Sequence, residues 1–421
     1  MVKKITLNNG LRIITLSQKS TEAVTVLVLV GAGSKYEKKE ISGISHFLEH
    51  MFFKGTKKRP DKLKIAEDMD RIGGLYNAFT GDDYTGYFAK VASAKFDTAL
   101  DWVSDVFLNS TLPDKEVARE KGVIIEEINM IYDNPMLQVA LLWNKLLYGD
   151  QPAGWDIAGN KDSISAIRRH DLVNYMEGQY VASNTIVCVA GKINESAAAK
   201  KIKNCFSKIS TAKPERKVEV FEKQESPESI LSFRKTDQTH FCLGVRGYNL
   251  FHPRRYAQEI LGIILGGMMS SRLFMEIREK LGLAYYIKTS VEANPDTGFL
   301  VTQAGVDNKK AEKAINTILK EYKKIASKKI PPAELKKAKD YIKGKMALLL
   351  EPSEAFASFY GIQELLEGTI LNQKEIYAKI NKVSAEEVQL IAKEIFRPEK
   401  LNLSVVGPFQ KKEVFRKILK L

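Results

Sequence analysis

Apolar positions change rhythm repeatedly along this chain. Alternating or unbroken aliphatic runs, which predict strands, give way to stretches spaced as in helices. The opening residues, MVKKITLNNGLRIITL, predict a strand, a turn at Asn8-Asn9-Gly10 and a second strand. A strand follows at Val24 to Val30, a helical segment begins at Ile41, and strands recur around Leu75 to Phe79 and Tyr84 to Val91. Helical spacing then holds from Ala94 to Phe107 and from Asp114 to Met130. This half closes on Tyr180-Val181-Ala182-Ser183-Asn184 and the strand TIVCVAG.

From Phe241 the same order returns. A strand at Phe241 to Val245 precedes a helix near Arg255 to Leu265 and strands around Tyr285 to Val291 and Gly298 to Ala304. Helices follow at Lys309 to Ala326 and Pro332 to Leu349, and the close is Phe396-Arg397-Pro398 with the strand LNLSVVG. Gly191 and Gly407, which end the two closing strands, lie 216 positions apart, and the helices opening at Asp114 and Pro332 lie 218 apart. Order, spacing and closing motif agree, which favours duplication over coincidence between two ordinary α/β stretches. Strands run ahead of helices in each half. The expected fold class is therefore α+β, with two tandem homologous domains, each an antiparallel or mixed sheet backed by helices. The polar stretch from Ser210 to Ser229 carries Pro214 and Pro227 and nearly bisects the chain. It is the expected linker between domains 1–209 and 230–421.

Composition narrows the classes of function. A chain of 421 residues suits about two to three domains. Its 44% hydrophobic and 28% charged residues match a soluble globular protein. No apolar run reaches the roughly 18 residues of a membrane span. The N-terminus has neither the apolar core nor the cleavage site of a signal peptide. No membrane partner is expected. Cys188, Cys205 and Cys242 are odd in number, widely spaced and set in largely apolar surroundings, as reduced core residues of a cytoplasmic protein are. The net charge of +14 is spread along the chain, with no basic tail and no aromatic-interleaved basic stripe. Nucleic acid is therefore not an expected partner.

The candidate chemistry sits in Ser45-His46-Phe47-Leu48-Glu49-His50-Met51, which holds two of the chain's five histidines. On a helix, His46, Glu49 and His50 leave much the same face. Two neutral imidazoles suit Zn²⁺, and a carboxylate beside them can take a proton from metal-bound water. The order is H-x-x-E-H, the inverzincin signature. Taken alone, the pentapeptide is equally an ordinary helix that happens to carry two histidines. A catalytic zinc site needs a third protein ligand. The stretch EVAREKGVIIEE offers Glu120 and Glu127, seven apart and on one face, with Glu116 one turn earlier. Glu126 points roughly 100° away from Glu127. Acidic helix residues are usually solvated, so spacing does not select among them.

HFLEHMFFKGT followed by Glu127, with 76 positions between His50 and that residue, resembles the pitrilysin and mitochondrial-processing-peptidase family of zinc endopeptidases. LNNGLRII, the lead-in Gly43-Ile44-Ser45 and the run Arg71 to Thr80 with Asp83 to Tyr87 resemble it as well. The resemblance implies His46, His50 and Glu127 as ligands of one zinc ion per chain, Glu49 as general base and Glu120 in support. It implies that the strand around Asn77, Ala78, Phe79 and Thr80 is a sheet edge to which extended peptide adds as a further strand. Read without the family, Asn77 and Asp82-Asp83 make a plain hairpin. GGMMSSRLFMEIREKLGLAYYI is similar to the family's flexible glycine-rich loop and following helix. That similarity implies that Arg278 and Tyr285 contact the bound peptide and the developing oxyanion. Otherwise Arg278 is one charge on an amphipathic helix and Tyr285 opens an aromatic strand.

The expected activity is zinc-dependent hydrolysis of peptides or unfolded small proteins. Two-domain bacterial relatives supply half of the family's clamshell, so the resemblance implies a homodimer whose sites are completed in trans by the partner's Arg278 and Tyr285. The rival is a non-catalytic scaffold or partner subunit of the same fold. Glu127 aligns with Lys345 in the repeat, and no H-x-x-E-H occurs in the second half. The two halves are therefore expected to share a fold and not a chemistry.

Overall fold

The computed structural model describes residues 2–411 and 413–421. The chain forms two compact units. The first comprises residues up to Asn129, Trp155–Val218 and Ala347–Leu371; the second comprises Met130–Gly154, Glu219–Met346 and Asn372–Leu421. One crossing, Val218 to Glu219, falls inside the polar stretch 210–229. The other crossings hand one helix of each half to the unit built mainly from the other half.

The first unit is built on a six-stranded sheet. Its strands are β1 (Lys3–Thr6), β2 (Arg12–Ser17), β3 (Ala23–Val30), β4 (Leu75–Thr80), β5 (Thr85–Ala92) and β6 (Thr185–Gly191), in the order β1-β2-β6-β3-β5-β4. Only β2 and β6 run parallel. The period-two geometry of β3 sends Val24, Val26, Val28 and Val30 to one face. There they pack with helices α1 (Ile44–Phe52) and α3 (Phe96–Asn109), between which α2 (Lys62–Asp70) intervenes in sequence. Leu27 and Leu29 point the other way and meet helix Ser353–Glu367. Each such leucine contributes about 1.5–3 kcal/mol by burial. That helix is therefore part of the core, although more than 300 residues of sequence separate it from β3.

The second unit repeats the plan. Strands β7 (Glu228–Phe233), β8 (Gln238–Arg246), β9 (Ala284–Ala293), β10 (Gly298–Asp307) and β11 (Leu401–Gly407) lie in the order β7-β11-β8-β10-β9. Only β7 and β11 are parallel. Strand for strand this is the order β2-β6-β3-β5-β4, with the parallel pair at the same place. Duplication is thus visible in the topology. One face is covered by α5 (Pro135–Tyr148), which follows the long helix α4 (Asp114–Asp133) in the chain. Val139, Trp143 and Leu147 of α5 pack on Cys242, Val301 and Val406. On the helix Ala311–Ser327, the Tyr322 hydroxyl donates to the Leu243 carbonyl at 3.1 Å.

The strands expected from sequence all form, as do the helices. The helix after Arg255 continues through a wide turn at Ile263–Gly267, so the glycine pair belongs to a helical end rather than a loop. A Cβ on Gly266 would stand 2.2 Å from the Thr289 hydroxyl, so glycine lets this turn lie against β9. Cys188 and Cys242 are buried, Cys205 is half-buried, and all three are free. Among the described residues no helix is long and apolar enough to cross a membrane.

Candidate metal centre

Helix α1 is short, and its sequence divides it cleanly. Ile44, Phe47, Leu48, Met51 and Phe52 recur at i, i+3, i+4, i+7 and i+8 and are fully buried. His46, Glu49 and His50 take the remaining face, partly exposed. The helix start is fixed from outside. Gly43 sits at the N-cap with φ +92°, a conformation glycine adopts without strain. The buried Glu37 carboxylate accepts from the Gly43 amide at 2.6 Å and the Ser45 amide at 2.9 Å. Two amide donors at the helix start are thereby satisfied. Burial pushes the Glu37 carboxyl up to about 8, against those same amide bonds.

On α4, Val117, Glu120 and Ile124 form the buried face and Glu127 continues it, whereas Glu126 is exposed. The Nε2 atoms of His46 and His50 stand 3.7 and 3.6 Å from one Glu127 oxygen. The two rings meet edge to face with centroids 4.7 Å apart. One donor atom from each residue lies within 4.8 Å of the others. These separations exceed a hydrogen bond, so the three atoms surround a point that none of them fills. Among the described residues no other group of His, Cys, Asp or Glu donors gathers in this way. Burial, helped by repulsion from His50, drives His46 down to about 4, so its imidazole is neutral at neutral pH. Two imidazoles and a carboxylate fit a zinc ion.

Glu49 is held beside this cluster. Thr80, the last residue of β4, donates its hydroxyl to Glu49 Oε2. Burial pushes the Glu49 carboxyl above its ordinary value, with the Glu127 charge adding and the Thr80 and His50 interactions opposing. Glu120 is 3% exposed and binds His50 Nδ1 through Oε2 at 3.2 Å and Lys54 Nζ through Oε1 at 2.7 Å. Burial alone would raise its carboxyl; the His50 and Lys54 hydrogen bonds outweigh that and hold it below the ordinary range.

The sequence profile described as Insulinase (Peptidase family M16) matches residues 12–160, and that described as Peptidase M16 inactive domain matches residues 166–342. A Bacillus subtilis (strain 168) protein named uncharacterized zinc protease YmxG is 36% identical over 97% of this chain and 98% of its own length. The chain belongs to peptidase family M16. A Streptomyces coelicolor relative, also named an uncharacterized zinc protease, is 31% identical over 99% of this chain and 91% of its own. The M16 fold is equally plain in solved structures. A Helicobacter pylori protease superposes with a TM-score of 0.90 at 24% identity, covering 97% of this chain and 99% of that one. An M16 inactive-domain protein of Pseudomonas fluorescens gives 0.88 at 19%, covering 97% and 98%.

Within this M16 chain the first unit brings together His46, His50, Glu127, Glu49 and Glu120. Strand β4 is an edge: among the described residues it pairs only with β5. Asn77 and Ala78 lie on it, and the Ala78 amide is taken by the Asn77 side-chain oxygen at 2.9 Å. Phe79 packs over Gly86. Arg278 and Tyr285 belong to the second unit. Arg278 lies over the Phe274 ring, 5.0 Å from its centroid, and Tyr285 is 77% exposed at the start of β9. Sequence reasoning missed Glu37, Lys54 and the Thr80 bond to Glu49. Lys54, inside HFLEHMFFKGT, and Thr80, on the expected edge strand, stood in stretches already singled out, but neither stretch showed these contacts. Glu37 acts from a loop with no periodic signal.

Proposed function

We propose that this chain is a zinc endopeptidase that hydrolyses peptides or unfolded small proteins, with Glu49 as general base. The convergence of His46, His50 and Glu127 beside a buried, oriented Glu49 carries the reading. Relatives over nearly the whole chain are named zinc proteases, which supports zinc as the ion. Bound there, the ion would acidify water and polarise a scissile carbonyl.

The chain's own residues do the rest. Thr80 occupies Glu49 Oε2, and no donor among the described residues reaches Oε1. That oxygen is left to take the proton and to return it to the leaving nitrogen. Burial raises the proton affinity of Glu49, which suits a group that must both accept and release. The open edge of β4 offers backbone partners for an extended peptide with little demand on its sequence, and Thr80 ties that edge to the base.

Metal analysis together with a quenched peptide library, with and without chelator, tests this reading. Cleavage that stops on chelation and returns with zinc is expected. Zinc bound without cleavage of any peptide would favour the non-catalytic scaffold, a role consistent with the inactive-domain description of residues 166–342.

The two-domain size supports a homodimer with each site completed by the partner's Arg278 and Tyr285. Chains carrying Arg278→Ala and Glu49→Gln, each inactive alone, are expected to recover up to about a quarter of wild-type activity when mixed equally. Half of such a mixture is heterodimer, and each heterodimer has one intact site of two. No recovery in well-mixed chains rules out completion in trans.

A further inference from the structure

Lys54 stands two residues beyond α1, its amide bonded to the Met51 carbonyl at 3.1 Å. Its side chain is 17% exposed and runs to Glu120, whose side chain is 4% exposed. The two oxygens of Glu120 are divided: Oε1 takes Lys54 Nζ at 2.7 Å, and Oε2 takes His50 Nδ1 at 3.2 Å. His46 has no equivalent support, since its Nδ1 is buried without a hydrogen-bond partner. The orientation of the donor set therefore depends on how firmly the His50 ring is held.

We propose that Lys54 is a positioning residue for the metal centre: it pins one oxygen of Glu120 so that the other fixes the His50 ring with Nε2 toward Glu127. The proposal rests on the reading of His46, His50 and Glu127 as metal ligands. Without Lys54, Oε1 is a buried oxygen with no donor, an arrangement that is costly to maintain. The carboxylate relieves that cost by turning toward water, and the turn withdraws Oε2 from His50. A ring no longer fixed at Nδ1 must be ordered when the ion binds. Partners that orient a ligating histidine in this way typically contribute about 10–100-fold to metal affinity.

The experiment measures zinc affinity of the full chain by competition with a chromophoric chelator, with no peptide present. Lys54→Met is expected to bind zinc about 10–100-fold more weakly than wild type, and Glu120→Gln similarly. Because Lys54 acts through Glu120, the double variant should be no weaker than Glu120→Gln by more than about threefold. Lys54→Arg keeps a charged donor and should recover most of the affinity. Lys54→Leu, which also lacks a donor, is read by the same criterion if Lys54→Met does not fold.

Wild-type affinity in Lys54→Met overturns the proposal. So do losses that multiply in the double variant, since Lys54 would then act independently of Glu120. A wild-type chain that binds no zinc overturns both this proposal and the function it rests on. A chain that shows the Lys54 effect yet cleaves nothing supports the positioning role and sinks the peptidase reading alone.

Discussion

Glu49→Gln is expected to keep its full complement of zinc and to lose about 10²–10⁴-fold in kcat, the range over which general acid–base groups contribute. Glutamine is the same shape, and its carbonyl oxygen can still accept the Thr80 hydroxyl. What it loses is a proton-accepting oxygen. The variant should also be no less stable. The folded-state carboxyl of Glu49 is raised above its ordinary value, so the stability it contributes is complete only below the unfolded value and fades as pH rises through the folded one. In the metal-free protein near neutral pH, a neutral glutamine therefore costs nothing and the variant should melt at or above wild type. A large loss of kcat with zinc and melting temperature intact isolates the proton transfer. Full activity in Glu49→Gln removes Glu49 from the mechanism.

The sequence made the fold legible where local pattern and burial agree. Strand β3 is a run of β-branched and leucine side chains because both of its faces are covered, and the run marks it at once. Helix α5 was harder to see: apolar residues lie around much of its circumference, so periodicity gives no single face. Its start was nevertheless written in Asn134-Pro135, a cap followed by proline in the first turn. That α5 and Ser353–Glu367 each pack in the unit of the other half could not be read at all, because nothing local in an apolar helix names the sheet it covers.

The site divides in the same way. His46, Glu49 and His50 share a face by helical geometry alone. The choice of Glu127 over Glu126 needed family resemblance, and the structure explains it: one faces the histidines and the other faces solvent. Thr80 lies 31 positions from Glu49 and Lys54 lies 66 from Glu120, and both pairs meet only through tertiary packing. No spacing rule reaches them.

His50→Ala and Glu127→Gln are expected to lose bound zinc and, with it, turnover. Zinc stabilises whatever state binds it, by about 2.7 kcal/mol at a hundred times its Kd. Wild type should therefore melt at a higher temperature with zinc than without, and these two variants should show no such difference. Glu126→Gln is the control that makes the result specific. Glu126 is one residue away, exposed, and on another face of the same helix, so its loss should leave zinc content and the zinc-dependent melting shift unchanged. Lys345→Ala, at the repeat position of Glu127 and also exposed, should change stability by no more than about 0.5 kcal/mol and zinc binding not at all. If Glu126→Gln lost the ion while Glu127→Gln kept it, α4 would be rotated by one residue from the arrangement described. The donor set would then have to be rebuilt around a different carboxylate.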